Sequence, residues 1–111
     1  MSKYYNIEDS SRLFGSETEV MRFIKGLLLK NYKIYEINQK KGELVPYHSH
    51  AHQEIILLLE GSMRLIIEEE IIDLQAGEMI TIEPWAIHLA SFPQDSGARF
   101  YLCYPKKNAK K

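Results

Sequence analysis

The chain has 111 residues, 45% of them hydrophobic and 26% charged, with a formal net charge of −1. That length is one domain with room for a real core. The near-zero charge provides no field for nucleic acid or an anionic membrane surface, and the longest apolar runs, such as Ile55 to Leu59, are far too short to cross a bilayer.

Cys103 is the single cysteine, so no intrachain disulfide can form. Its expected place is the last strand, as a small buried hydrophobe rather than a nucleophile. No basic, apolar, small-residue signal pattern opens the chain, which makes a cytoplasmic location the expectation.

Met1 to Ser16 is polar and mixed, anchored by Tyr4, Tyr5 and Ile7, and reads as a short strand or a loose arm with turns at Asp9–Arg12 and Gly15–Ser16. Glu17 to Phe23, with Val20, Met21 and Phe23, is ambiguous between helix and strand. The β character of its surroundings and Gly26 after it favour a strand. Residues 1–26 are thus expected as an arm with strands, followed by a barrel over 27–105.

Leu27 to Ile37 is β-like, carrying Tyr32, Ile34, Tyr35 and Ile37, and Gln39 to Gly42 closes it in a turn. Leu44 to His50 is the next strand, with Leu44, Pro46, His48 and His50 on one face; Pro46 marks an edge or a ladder irregularity. Glu54 to Leu59 wants burial on both faces. Ile56 and Leu58 share parity with Glu54, and Ile55, Leu57 and Leu59 look the other way. Such a strand lies between two layers, and the second layer is expected to be another subunit, making a homodimer.

After a turn at Glu60–Gly61, Ser62 to Ile67 and Ile71 to Leu74 flank the solvated tip Glu68-Glu69-Glu70. Ala76–Gly77 leads into Glu78 to Ile82, then a turn at Pro84. His88, Ala90 and Phe92 share a face, so Phe92 should look into the same pocket as Ile56. Ala98 to Tyr104 closes the domain, and residues 106–111 form a basic tail expected to be disordered. Short strands with frequent turns imply an all-β sandwich or barrel.

The chemistry lies in His48-x-His50, Glu54 and His88. Imidazoles at i and i+2 of an extended strand project side by side, and Glu54 keeps that parity beyond a turn. Three imidazoles and a carboxylate suit one divalent transition ion (Fe, Mn, Ni, Co or Zn) and leave room for two further donors on an octahedral ion. His52 could face the site, replace a ligand or act catalytically as a base behind the ligands, or be thrown to the surface by the turn.

These residues resemble a family. Gly42, five residues, His48-x-His50, three residues, Glu54, six residues and Gly61 match the first cupin motif throughout. The second motif keeps its spacing, from Gly77 through Glu83, Trp85 and His88 to Phe92. Only Gly77 and His88 keep the usual identities, and Pro84 comes one place late. The fifteen residues between Gly61 and Gly77 suit small microbial cupins, and the resemblance runs from Leu27 to Tyr104.

The resemblance implies a cupin double-stranded β-helix, an RmlC-like jelly roll, most often with iron, manganese or nickel. Trp85 stands where the family has glycine, so the turn should differ locally and the indole should wall the pocket. With Phe92 in place of asparagine, the pocket should be aromatic and tight. Arg64 and Arg99 are candidates for a substrate carboxylate, although exposed ion pairing is the commoner fate of both.

Three functions fit a cupin of this kind with a small-molecule partner. One is a Lewis-acid isomerase or lyase acting on a small oxygenated acid or sugar derivative. The others are a metal-dependent dioxygenase and a ligand-binding module without turnover. Cupin sensors usually carry a helix-turn-helix unit, and no such pattern occurs in this sequence, so enzyme is the expectation.

Overall fold

The computed structural model describes residues 3–9, 17–93 and 97–106. The expected turn at Gly15–Ser16, most of that at Asp9–Arg12, and all but the first residue of the basic tail lie outside them.

Among the described residues, eight strands form, in stretches rich in β-branched and aromatic residues. They are β1 (Tyr5–Asp9), β2 (Tyr32–Gln39), β3 (Leu44–His48), β4 (Glu54–Ile67), β5 (Glu70–Gln75), β6 (Glu78–Ile82), β7 (His88–Ser91) and β8 (Ala98–Pro105). Every pairing is antiparallel. One sheet runs β1-β6-β4-β8-β2 and the other β5-β4-β7-β3. This is the all-β jelly roll.

β4 belongs to both sheets. Its first half pairs with β6 and β8, and its second half, from Ser62, pairs with β5 and β7. The turn expected at Glu60–Gly61 is therefore a bend within one continuous strand, marked by a register shift between Leu58 and Glu60. Gly61 lies at φ +83°, and a Cβ there would come 2.0 Å from the Gly97 carbonyl oxygen. Only glycine fits this corner.

The inner faces bury Ile56, Leu58, Met63, Leu65, Ile80, Ile82 and Phe100 in one core. β4 carries the largest share of it, which is why its sequence is nearly continuous aliphatic. A second cluster lies on the outer face of the first sheet, around Ile55, Leu57, Met79 and Cys103.

What covers that outer face corrects two expectations. Glu17–Leu29 is a helix, α1, not a strand. Val20, Phe23, Ile24 and Leu27 recur at i, i+3, i+4 and i+7, a single helical stripe, and Glu17 and Glu19 suit the positive N-terminal end. Gly26 does not end the element; Asn31 does, at φ +68°, as the left-handed residue just beyond the last turn. The boundary expected after residue 26 falls inside this helix. Phe23 and Leu27 pack against Ile55, Leu57 and Leu59. The second layer is thus the chain's own helix, and the homodimer expectation loses the face on which it rested.

β3 holds a further correction. Its register against β7 slips between Val45 and His48, around Pro46, which has no N–H to give to the ladder. The slip exchanges faces. Val45 and His48 both line the interior, three residues apart, whereas Leu44, expected on the His48 face, is 57% exposed.

Candidate metal centre

The ends of three strands meet at the mouth of the barrel. His48 ends β3, Glu54 opens β4 and His88 opens β7, directly opposite His48 in the ladder. His50 lies beyond the end of β3, in the turn leading to β4, so the turn rather than strand parity brings it in.

Each of these imidazoles is oriented by a backbone carbonyl. His48 Nδ1 lies 2.9 Å from the Pro46 oxygen, His50 Nδ1 3.1 Å from that of His52, and His88 Nδ1 2.9 Å from that of Ala86. A carbonyl oxygen only accepts, so each Nδ1 carries the proton and donates. In the neutral ring the lone pair is then on Nε2. With both rings neutral, the buried Nε2 atoms of His50 and His88 have no proton to give and no hydrogen-bond partner, although the Glu54 carboxylate lies beside them.

One ligand nitrogen from each of the three rings falls within 4.8 Å of the others. Glu54 Oε1 lies 3.1 Å from His88 Nε2 and 3.5 Å from His50 Nε2. Lone pairs and a carboxylate facing one another in a buried space repel unless a cation lies between them. Rings fixed through Nδ1 with Nε2 left bare are what a divalent ion needs, so these residues fit a transition metal, and the three histidines could hold one.

Without an ion, a proton takes that place. Burial alone would lower the His88 pKa, but the hydrogen bond to Glu54 and the Ala86 carbonyl outweigh it and raise the value. Burial likewise pushes the Glu54 carboxyl up, while the hydrogen bond from His88 and the charges of the three imidazoles hold it below its ordinary value.

Inward from this cluster lies a cavity of about 100 Å³ lined by His48, Glu54, Ile56 and His88 together with Ile37, Gln39, Val45, Met63, Leu65, Ala90, Phe100 and Leu102. A family model for the cupin domain matches residues 35–104, which contain every element around it. The chain belongs to the cupin family.

Solved cupin-like structures superpose on it at low identity. An RmlC-like cupin with a double-stranded β-helix fold from Methanocaldococcus jannaschii has a TM-score of 0.64 at 17% identity, over 68% of this chain and 71% of that one. The polyketide cyclase RemF from Streptomyces resistomycificus has a TM-score of 0.64 at 24% identity, over 70% and 56%. KdgF from Halomonas sp. has a TM-score of 0.62 at 17% identity, over 74% and 76%. These likenesses carry the fold. No curated protein matches the sequence.

In this cupin the second motif departs from expectation at two of its three altered positions. Trp85 has φ +68°, so the turn takes a left-handed backbone, of the kind that favours glycine, with tryptophan in place. Its side chain does not wall the cavity and is 65% exposed. Its backbone matters more: the Trp85 N–H donates to the His50 carbonyl at 2.8 Å, tying the second motif to the histidine turn.

Phe92 is buried, but not in the cavity wall. It stacks behind Phe100, centroids 6.0 Å apart, and Phe100 is the aromatic that faces the cavity. The expected aromatic pocket is therefore mainly aliphatic, with Phe100 as its one phenyl ring among the described residues. Ile37, Gln39, Phe100 and Leu102 also line it, and their shared parity on β2 and β8 is the sequence signal for them.

The remaining candidates lie outside. Arg64 binds Asp73 at 2.7 Å, and Arg99 binds Glu36 and Glu60, each at 3.0 Å. His52 stacks on His50 at 4.3 Å and on Tyr104 at 4.4 Å, both nearly parallel, and does not line the cavity.

Proposed function

We propose that this cupin is a metal-dependent enzyme that isomerises or cleaves a small oxygenated substrate at an ion held by His48, His50, Glu54 and His88. The observation that carries the reading is the pair of bare, buried Nε2 atoms beside a buried carboxylate, at the mouth of a small apolar cavity. A divalent ion bound there would polarise a substrate carbonyl as a Lewis acid.

The protein's own contribution is orientation and exclusion of water. Backbone carbonyls fix the three rings, and the aliphatic wall keeps the dielectric low, which strengthens the pull on a bound oxygen. Apart from His48, Glu54 and His88, Gln39 is the polar residue among those lining the cavity and can orient one substrate atom. His52 acts from behind, through its carbonyl and its ring, to hold His50 in plane.

Purified protein loaded with zinc, manganese or iron and assayed against small oxo acids, uronates and catechols tests the reading. Turnover supported by zinc, without oxygen uptake, is expected. Turnover that consumes oxygen and stops when zinc replaces the native ion would establish the dioxygenase instead. Tight metal-dependent binding without turnover would leave a binding module.

A further inference from the structure

The cavity wall restricts what can enter. Beyond His48, Glu54 and His88 it is hydrocarbon, chiefly Ile37, Ile56, Met63 and Leu65, with Gln39 as its one amide. Among the described residues, no lysine, arginine or hydroxyl side chain lines it. The two arginines nearest in sequence to its walls are neutralised outside, Arg64 by Asp73 and Arg99 by Glu36 and Glu60.

From this wall we infer that the substrate is a short-chain aliphatic monocarboxylate with a second oxygen on the adjacent carbon, a 2-oxo or 2-hydroxy acid, with its alkyl tail in the cavity. The inference rests on the metal-dependent reading above and narrows it. A divalent ion with the Glu54 carboxylate leaves one positive charge, which a single substrate carboxylate neutralises. A bare carboxylate can reach two positions only through a strained four-membered ring, whereas a carboxylate with an oxygen on the adjacent carbon brings the same charge and two donors in an unstrained five-membered chelate.

Sugars and uronates do not fit such a wall. Each hydroxyl buried against it without a partner would cost about tenfold in affinity, and Gln39 can satisfy only one or two. A dicarboxylate would bury a second charge with no cation to meet it. Size points the same way. A dry cavity of about 150 Å³ accepts benzene; this one, at about 100 Å³, takes a tail smaller than a six-membered ring.

Calorimetry on zinc-loaded protein with 2-oxobutanoate, 2-oxopentanoate, 2-oxohexanoate, 2-oxoglutarate and galacturonate tests this without turnover. Affinity is expected to rise about fourfold for each methylene that enters the cavity, then fall once the tail exceeds it. 2-Oxoglutarate and galacturonate should bind at least about tenfold more weakly than the best monocarboxylate. Met63→Ala should shift the optimum to a longer chain, and the wild-type series decides alone if that variant does not fold.

Galacturonate or 2-oxoglutarate binding most tightly, or no dependence on chain length, would overturn the inference. Zinc content measured on the same sample separates the two levels. Zinc-loaded protein with the wrong preference overturns the substrate class alone, and protein that retains no zinc overturns the metal reading with it.

Discussion

Glu54 Oε1 and His88 Nε2 face each other at 3.1 Å between buried side chains, with the Nδ1 of that same histidine already committed to the Ala86 carbonyl. Only a proton or a metal ion can reconcile the two atoms. On the proposed reading, the same contact bears on both the metal-free stability and the metal affinity of the protein.

In the metal-free protein the pair defines a pH window. His88 has a raised folded pKa, so its contribution is complete below the ordinary imidazole value of 6.5 and is lost as pH rises through the folded value. Glu54 has a lowered folded pKa, so its contribution is present above the ordinary 4.5 and is lost as pH falls through the folded value. Thermal melts of chelator-treated protein should show the pair's contribution greatest between those limits, and His88→Gln should flatten the profile there. An unchanged profile in the variant would show that the pair does not carry the dependence.

Metal should reverse the upper limit of that window. An ion must displace the His88 proton, so affinity should climb as pH rises through the raised His88 value and then level off. Competition with a chromophoric chelator across this range measures it. A pH-independent affinity would mean that His88 is not a ligand.

Trp85 occupies a left-handed conformation that costs a non-glycine residue about 1 kcal/mol, and its indole is mostly exposed. Trp85→Gly should therefore be neutral or stabilise by up to about 1 kcal/mol, since little packing is lost and the N–H to His50 remains. Denaturant unfolding of the two proteins is the measurement. A loss of more than about 2 kcal/mol would mean that the indole packs against something essential.

Cys103 is fully buried under α1, and burial, aided by the Glu54 charge, pushes its thiol up to about 12. Thiol reagents at neutral pH should label it only as fast as the helix or the domain opens. Leu27→Ala, which removes a buried side chain between α1 and the sheet, should destabilise by about 2–4 kcal/mol and accelerate labelling. Rapid labelling of the native protein would place α1 elsewhere.

The parts of the fold legible in the sequence were those fixed by local chemistry. Gly42 and Gly77 adopt positive φ at the turns expected of them, and Gly61 adopts it at a bend within β4. His48, Glu54 and His88 lie at strand ends, where spacing alone locates them. What escaped depended on contacts distant in sequence. The stripe Val20, Phe23, Ile24, Leu27 shows its helical period only when it is followed past Gly26 to Leu27, and the helix gains its burial against β4, far off in the chain.

The slip at Pro46 inverted the parity of β3, so Leu44 was placed inside and Val45 was missed. Phe92 has the right parity for the interior, yet Phe100 from β8 stands in front of it. A period-two pattern tells which face a side chain takes; it does not tell which of two inward rings reaches the cavity.

Metal content tests the central claim most directly. Purified protein should be stripped, reloaded with zinc, dialysed and analysed for zinc per chain, beside His50→Ala and Glu54→Ala variants shown to be folded by circular dichroism. The account predicts about one ion per wild-type chain, and at least a ten- to hundredfold loss of affinity in each variant. Folded wild-type protein that retains no ion, or variants that retain it undiminished, would contradict it.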